Sequence, residues 1–316
     1  MSALVLRLRS LDWIWAALGA LVMWLLLGAF AGRFNLESLI ATSTTAAFLA
    51  IVAMGQMIVV TTGRGAIDLS IPGVITLAAY LATGLTLGSN ARLLWVFPLV
   101  LCMGALVGAA NALTVLLLRI PPIIATLGVG YILTTLILVY NPHYRSTYVA
   151  SILTHLTRDR LLGLVPVVVL LALALAALLA WIMRSTQFGK SLAALGQSLP
   201  AARLSGIRVS RVEVIAYVIS GVLAAFGGVL ISARVGGAFL GLGDPYLLET
   251  VGSVVVGGTL IMGGRAVPVG TLFGSLFLVL LVTAMQVAGM RIGGQYVAEG
   301  ALIIGVLFLA AGRGAR

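Results

Sequence analysis

Long apolar runs separated by short polar breaks make up most of this chain. A helix that crosses a bilayer needs roughly 20 apolar residues. Ten runs come close to that length, at residues 13–31, 39–60, 71–87, 93–118, 123–140, 161–183, 212–233, 247–262, 267–289 and 296–311. The pattern predicts an all-α, polytopic membrane protein with about ten transmembrane helices. We expect residues 1–316 to form a single transmembrane domain.

The composition supports this prediction. Hydrophobic residues make up 61% of the chain and charged residues 9%, with a mean hydropathy of +1.20, whereas soluble proteins carry about 25% charged residues. The net charge of +11 comes from cations that punctuate the apolar runs, which is typical of membrane orientation signals and not of nucleic-acid binding. With the N-terminus in the cytoplasm, more of these cations fall inside than outside, so both termini are predicted to be cytoplasmic. The single cysteine, Cys102, excludes an intramolecular disulfide and a cysteine-based metal site.

Residues 185–211 form a polar interlude between apolar runs. Within it, Ser198 fits the N-cap of a short helix, Pro200 fits its first turn, and Gly206 fits its left-handed stop. The helix would carry Arg203 into water, where it could dock on a soluble partner. The alternative is a positively charged loop that only fixes the topology.

Two polar breaks, at residues 61–73 and 256–270, interrupt the apolar pattern with glycine and proline. Irregular backbone at membrane depth is tolerated only where protein or a water-filled cavity satisfies it, and paired breaks point to a substrate pathway. Asp68 lies in the first break, and its alternative role is an ion pair with Arg64, four residues earlier. Most of the 38 glycines are interpreted as sites of close helix packing. The clearest packing candidates are Gly104, Gly108, Gly270 and Gly274.

Acidic groups are sparse in the apolar runs. Those considered for a transport role are Asp68, Glu249 and Glu299, and Glu299 is expected at the membrane interface where the last span begins. No series of acidic and histidine residues forms a proton relay, and the phosphate-binding pattern GxxxxGK[ST] is absent. Any ATP chemistry is therefore expected in a partner subunit.

Four stretches resemble, in the same order and spacing, the permeases of ribose-type sugar ABC importers, the carbohydrate uptake 2 family. They are the IDLS core within residues 65–70, residues 121–128, residues 188–207 and residues 256–265. The resemblance extends over nearly the whole chain from about residue 39. It implies the type II ABC permease fold of the vitamin-B12 importers.

The resemblance also implies the partners. Two permease subunits, identical or paired with a sister chain, are expected in the bacterial cytoplasmic (inner) membrane on ABC ATPase subunits that bind ATP and Mg. A periplasmic solute-binding protein would deliver a sugar. Residues 141–160 are expected on the periplasmic side, where Arg145, Arg158 and Arg160 could match acidic groups of that protein, and the alternative is a solvated loop. The chain itself is expected to be no enzyme and to hold no cofactor or metal.

The resemblance gives residues 185–211 the role of a coupling segment, whose short helix fits a groove on the ATPase. Ser198 and Pro200 stand where the family commonly has Asn and Glu, which removes a possible salt bridge to the ATPase. For the translocation path we predict groups that can bond a sugar's hydroxyls. The predicted coupling residues are Gly189, Lys190, Gly196, Ser198, Pro200, Ala201, Ala202, Arg203, Ser205 and Gly206, and the predicted path residues are Asp68, Ser70, Asn111, Thr126 and Glu249.

Other functions remain open at this point. Permeases of branched-chain amino acid or nucleoside importers share the fold, although the IDLS stretch favours the sugar branch. A secondary carrier or a membrane enzyme would need more intramembrane carboxylates, or a metal or nucleophile constellation, than the sequence contains. The sequence names neither the sugar nor the second permease subunit.

Overall fold

The computed structural model describes residues 13–30, 36–144, 148–161 and 163–314. A 3₁₀ turn at Asn141–His143 and one antiparallel strand pair, β1 (Arg160–Leu161) with β2 (Val165–Pro166), lie between the fifth and seventh helices. Apart from these the ordered elements are helical, which confirms the all-α prediction. In chain order the helices are α1 (Trp13–Phe30), α2 (Leu36–Thr61), α3 (Ile71–Thr86), α4 (Asn90–Leu116), α5 (Pro122–Tyr140), α6 (Ser151–Arg158), α7 (Val167–Ser185), α8 (Gln187–Gln197), α9 (Leu199–Leu204), α10 (Val209–Val235), α11 (Tyr246–Val256), α12 (Pro268–Val287) and α13 (Ile292–Gly314).

Ten apolar helices of the described segments fall on the ten predicted runs. By length and composition, α2, α4, α5, α7, α10 and α12 are able to cross a membrane. The apolar parts of α1, α3, α11 and α13 are shorter than those six helices. The chain is thus a multi-pass membrane protein.

Helices α2 and α10 form the centre of the bundle. Helix α10 packs against α2, α3 and α4, while α12 packs against α1, α2 and α11. Helix α2 is buried along almost its whole length, with Ile51, Val52 and Ile58 fully enclosed, as expected for a helix that is apolar on all sides. The polar side chains Gln56 on α2 and Ser220 on α10 are therefore shielded from lipid.

Glycines let the central helices approach one another closely. A Cβ atom at Gly108 of α4 would lie 2.2 Å from the carbonyl oxygen of Tyr217 on α10, and one at Gly270 of α12 would lie 1.9 Å from that of Gly257. Gly104 and Gly274 make equally close backbone contacts. The prediction that these glycines pack helices together is confirmed, since small residues drive helix association in lipid.

The sixth predicted span begins later than expected. Leu161, Val165 and Pro166 belong to the strand pair, and Gly163 between the two strands has a left-handed φ of 72°. Helix α7 starts at Val167, directly after Pro166. The apolar character of Leu161 and Leu164 hid this turn, because hydropathy does not distinguish a short apolar hairpin from the start of a helix.

Replacing Gly108 by alanine should destabilise the bundle, because the new methyl group forces α4 and α10 apart. We expect the free energy of unfolding in detergent to fall by about 1–3 kcal/mol, the usual cost of overpacking. The matched control is Gly128→Ala on α5, since the Cα of Gly128 has open space around it, and alanine there should be neutral or stabilising by up to about 1 kcal/mol. Equal thermal unfolding midpoints for the two variants would contradict this account of the packing.

Candidate coupling and translocation site

Within the first polar break, residues 62–70 leave the helical conformation immediately after α2. Gly63, Arg64 and Gly65 have left-handed φ values of 84°, 58° and 68°, and such a run cannot continue an α-helix. The chain instead turns back into the bundle and carries Asp68 to its interior before α3 begins.

Asp68 is the centre of a buried hydrogen-bonded cluster. Its Oδ1 atom accepts hydrogen bonds from the Ser70 hydroxyl (2.6 Å), the Ser70 amide (3.1 Å) and Asn111 Nδ2 (3.4 Å), and its Oδ2 atom accepts one from Ser220 Oγ (2.8 Å). All four residues are at most 2% exposed. A buried carboxylate needs such partners, because an unpaired charge in an apolar interior costs several kcal/mol.

Two further side chains hold the loop that carries Asp68. The Asp68 amide donates to Gln56 Oε1 on α2 (3.2 Å), and the Leu69 amide donates to Thr126 Oγ1 on α5 (3.0 Å). Gln56 Nε2 and Asn111 Oδ1 are buried without a hydrogen-bond partner. The cluster thus retains one free donor and one free acceptor.

Four of the five predicted path residues therefore meet at this cluster, and Glu249 does not join them. The sequence analysis missed Gln56 and Ser220. Each is an isolated polar residue in an apolar helix, and that isolation was the available signal. Glu249 on α11 instead lies within electrostatic range of Glu299 on α13.

The expectation that Glu299 begins the last span is wrong. Helix α13 starts at Ile292, so Glu299 lies two turns inside it, and the side chain is only 4% exposed. Its Oε2 atom has no hydrogen-bond partner.

The alternative ion pair between Arg64 and Asp68 is also wrong. The Arg64 guanidinium donates to Glu213 Oε1 on α10. A spacing of four residues brings side chains together only on a helix, and the left-handed turn at Gly63–Gly65 removes that geometry. Glu213, the second residue of the predicted seventh span, was overlooked as a candidate, and it is 2% exposed.

The short helix predicted in residues 185–211 is confirmed as α9. The Ser198 hydroxyl accepts a hydrogen bond from the Ala201 amide (3.4 Å), which caps the N-terminus. At the C-terminus Gly206 has φ 76°, its amide donates to the Arg203 carbonyl, and the Ile207 amide donates to the Ala202 carbonyl. This is the hydrogen-bond pattern of a Schellman stop.

Helix α8, directly before α9, was not predicted. Its N-cap is Thr186, whose hydroxyl accepts from the Gly189 amide (3.2 Å). Leu192 and Leu195 are buried, so α8 is an amphipathic helix that lies against the bundle. The signal was this pair of leucines three residues apart in a segment that otherwise reads as polar.

Nine of the ten predicted coupling residues divide into two groups, and the tenth, the N-cap Ser198, is half-buried. Gly189 and Gly196 lie in tight packing contacts of α8, with Gly189 against the backbone of Met183. Ala202 lies on the buried face of α9. Leu204 of the same short helix is 90% exposed. The exposed members are Lys190, Pro200, Ala201, Arg203, Ser205 and Gly206.

Gly196 lies where α8 meets both polar breaks, at a contact of four glycines, Gly63, Gly196, Gly263 and Gly264, which we name the glycine junction. A Cβ atom at Gly196 would lie 2.1 Å from both the Thr61 carbonyl oxygen and the Gly264 nitrogen, and one at Gly263 would lie 2.3 Å from the Cα of Gly63. The Gly264 amide donates to the Thr61 carbonyl (3.0 Å). The two breaks and the coupling segment are thus in direct backbone contact.

Two cavities adjoin the loop of Asp68. One of 400 Å³, which we name the basic cavity, is lined by Arg64, Arg119, Arg203 and Glu213 among others. The second, of 280 Å³, is lined by residues at the start of α3 and by Asp244. Arg64 of the first cavity precedes Asp68 in the chain, and Pro72 of the second cavity follows it.

Comparison with known proteins places this sequence in a family. The family model described as "Branched-chain amino acid transport system / permease component" matches residues 38–312. An autoinducer 2 import system permease of Klebsiella pneumoniae is 30% identical over 278 residues, covering 87% of this chain and 79% of the relative. A ribose import permease and a galactose/methyl galactoside import permease, both of Haemophilus influenzae, are 29% and 30% identical, covering 88% and 87% of this chain and 85% of each relative. No solved structure gives a significant match. The chain therefore belongs to the family of branched-chain amino acid transport system permease components.

Proposed function

We propose that this chain is the permease subunit of an ABC importer that takes up a sugar or sugar-like solute across the bacterial cytoplasmic membrane. The family and the import permeases for ribose and galactose support this proposal. ATP hydrolysis would belong to a separate ATPase subunit that binds ATP and Mg, so the permease itself would not be an enzyme. A periplasmic binding protein would deliver the solute.

The glycine junction is the observation that carries the proposal. In an ABC importer the ATPase must move the transmembrane helices through a surface segment that it holds. Here α9 offers such a segment, and Gly196, three residues before α9 begins at Leu199, touches both polar breaks at backbone level. A displacement of α8 and α9 would therefore move both breaks together.

The Asp68 cluster supplies the chemistry for a hydroxylated solute. Carboxylate, hydroxyl and amide groups from four helices and one loop meet there, and the unpaired Gln56 Nε2 and Asn111 Oδ1 atoms offer a donor and an acceptor. Because the residues of the cluster are almost fully buried, we propose that this conformation is occluded and that the helices must separate before a solute passes. Glu249 is retained as a separate proposed path residue near Glu299.

The partner surfaces follow from the same arrangement. We propose that the exposed side chains Arg203 and Leu204 enter the ATPase groove, which places α9 and both termini in the cytoplasm. The connection that contains α6 would then face the periplasm and the binding protein. Exposed apolar residues of α5, including Ile124, Tyr131 and Ile132, are available to lipid or to a second permease subunit.

A branched-chain amino acid importer is the second candidate, because the matching family is named for branched-chain amino acid transport. The two candidates differ in the solute delivered by the binding protein. Uptake assays in proteoliposomes, with a panel of labelled sugars and aliphatic amino acids, distinguish them. Solute movement by the purified chain without any ATPase would instead identify a secondary carrier, with Glu249 and Glu299 as the groups that couple an ion.

Scrambling residues 198–206 should abolish ATPase binding while the spans still insert, because the caps of α9 depend on Ser198 and Gly206. We expect an ATPase subunit to co-purify with the wild-type chain from its own membranes and to be absent with the scrambled variant. The control is a scramble of residues 151–158, the helix α6, which should leave the ATPase bound. Purification of the wild-type chain alone would contradict the proposed function.

Gly196→Ala should separate docking from transport. The new methyl group would meet the Thr61 carbonyl and the Gly264 amide, so the hydrogen bond between them must break or α8 must shift. We expect ATPase binding to persist while ATP-driven uptake falls about tenfold or more, since overpacking costs about 1–3 kcal/mol. Gly293→Ala in α13, where no atom lies within 4 Å, serves as the control, and equal uptake by the two variants would show that the junction does not transmit the motion.

Asp68→Asn should impair uptake without loss of assembly. An amide replaces one acceptor oxygen by a donor, which then faces Ser220 or Ser70 with the wrong polarity, and a lost charge-assisted hydrogen bond costs about 1.5–3 kcal/mol. We expect the maximal uptake rate to fall about tenfold or more, and Ser220→Ala to have a smaller effect. Wild-type uptake by Asp68→Asn, with normal expression, would remove Asp68 from the translocation path.

A further inference from the structure

The basic cavity has the dimensions of a small-molecule site. Its volume of 400 Å³ falls within the roughly 300–1,000 Å³ of typical ligand pockets. It opens where the loop of residues 62–70, the end of α4, α9 and the start of α10 meet, and aliphatic and proline side chains form its apolar walls. Its polar lining consists of Arg64, Arg119, Arg203, Ser210 and Glu213.

The charges of this lining are unbalanced. Glu213 is the single acidic group, and it is engaged by the guanidinium of Arg64. Arg203 also acts on Glu213 electrostatically. Arg119 makes no hydrogen bond or ion pair with any residue that the structure describes. The cavity therefore carries net positive charge, in the form of guanidinium groups, whose planar fork matches the oxygens of a phosphate.

The backbone around the cavity is strained at two of these arginines. Arg64 and Arg119 have left-handed φ values of 58° and 56°, and in the described part of the chain only Leu87 joins them among non-glycine residues. Such conformations persist where the surrounding structure holds them, and they cluster at ligand sites. The fold thus aims two guanidinium groups at one cavity at a cost in backbone conformation.

Glu213 favours a ligand that also carries a hydrogen-bond donor. Its Oε1 atom accepts from Arg64, but its Oε2 atom is buried with no hydrogen-bond partner. This atom is closed off from the cavity in the present conformation, so the Glu213 carboxylate must rotate before a ligand hydroxyl can donate to it, whereas a bare phosphate would be repelled. The lining therefore suits a molecule that carries both an anionic phosphate and a hydroxyl group.

We propose that the basic cavity binds a phosphorylated polyol, with the phosphate on Arg119 and Arg203 and a hydroxyl donating to Glu213. Two sources share this chemistry, a soluble sugar phosphate and the glycerol-phosphate headgroup of an anionic lipid. If the proposed function is right, this end of the molecule faces the cytoplasm. The ligand would then hold Arg203 of α9 against Arg119 at the end of α4, in competition with the ATPase groove, and slow the transport cycle.

The test is calorimetric titration of the purified full-length chain in phosphatidylcholine nanodiscs with ribose 5-phosphate, ribose and inorganic phosphate. We expect ribose 5-phosphate to bind about tenfold more tightly than either component. Arg119→Asn should weaken this binding about tenfold, and asparagine tolerates the left-handed backbone at that position. Arg184→Gln, which removes an exposed cation at the end of α7 outside the cavity, should change the affinity by less than about twofold.

A second arm separates the two sources. In nanodiscs that contain phosphatidylglycerol, native mass spectrometry should show the lipid retained by the wild-type chain and not by Arg119→Asn if the headgroup is the ligand. The proposal is overturned if neither the soluble phosphate nor the lipid binds, or if Arg184→Gln weakens binding as much as Arg119→Asn. Equal affinity for ribose 5-phosphate and inorganic phosphate would overturn the role given to Glu213. Because the ATPase is absent from these assays, their outcome is independent of whether α9 docks on one.

Discussion

The hydrogen bond from the Gly264 amide to the Thr61 carbonyl (3.0 Å) is the contact on which the arrangement of the site depends. It joins the two polar breaks, and the backbone of Gly196 closes over it. Any side chain at the glycine junction would separate the three segments, so the contact requires residues that have no Cβ atom. Since α9 follows Gly196 within a few residues, the proposed coupling segment is in direct backbone contact with both breaks.

A second connection reaches the same loop from α10. Arg64 pairs with the buried Glu213, and Arg203 of α9 lies within electrostatic range of that carboxylate. Four residues beyond Arg64, Asp68 accepts a hydrogen bond from Ser220, also on α10. The loop is thus held to α10 at both of its ends, and a shift of α9 would change the environment of the polar cluster through charge as well as through backbone contact.

The helices could be predicted from the sequence because long apolar runs have few alternatives in lipid, and α9 could be predicted because its caps are local. The contacts of the site are long-range and could not. The pairing of Arg64 with Asp68 failed because a left-handed turn replaced the helical spacing. Ser220 and Gln56 gave only the weak signal of a polar residue in an apolar helix. Gly196 was predicted as a coupling residue, but its contact with both breaks gave no signal, since its partners lie far away in sequence.

Amide hydrogen exchange tests the central claim most directly, namely that the coupling segment and both polar breaks move as one unit. The permease would be reconstituted with its ATPase, and exchange in residues 62–70, 185–211 and 257–267 would be compared with and without ATP. The account predicts that exchange changes in all three segments together, including at the Gly264 amide. A change confined to residues 185–211, with both breaks unaltered during ATP turnover, would contradict it.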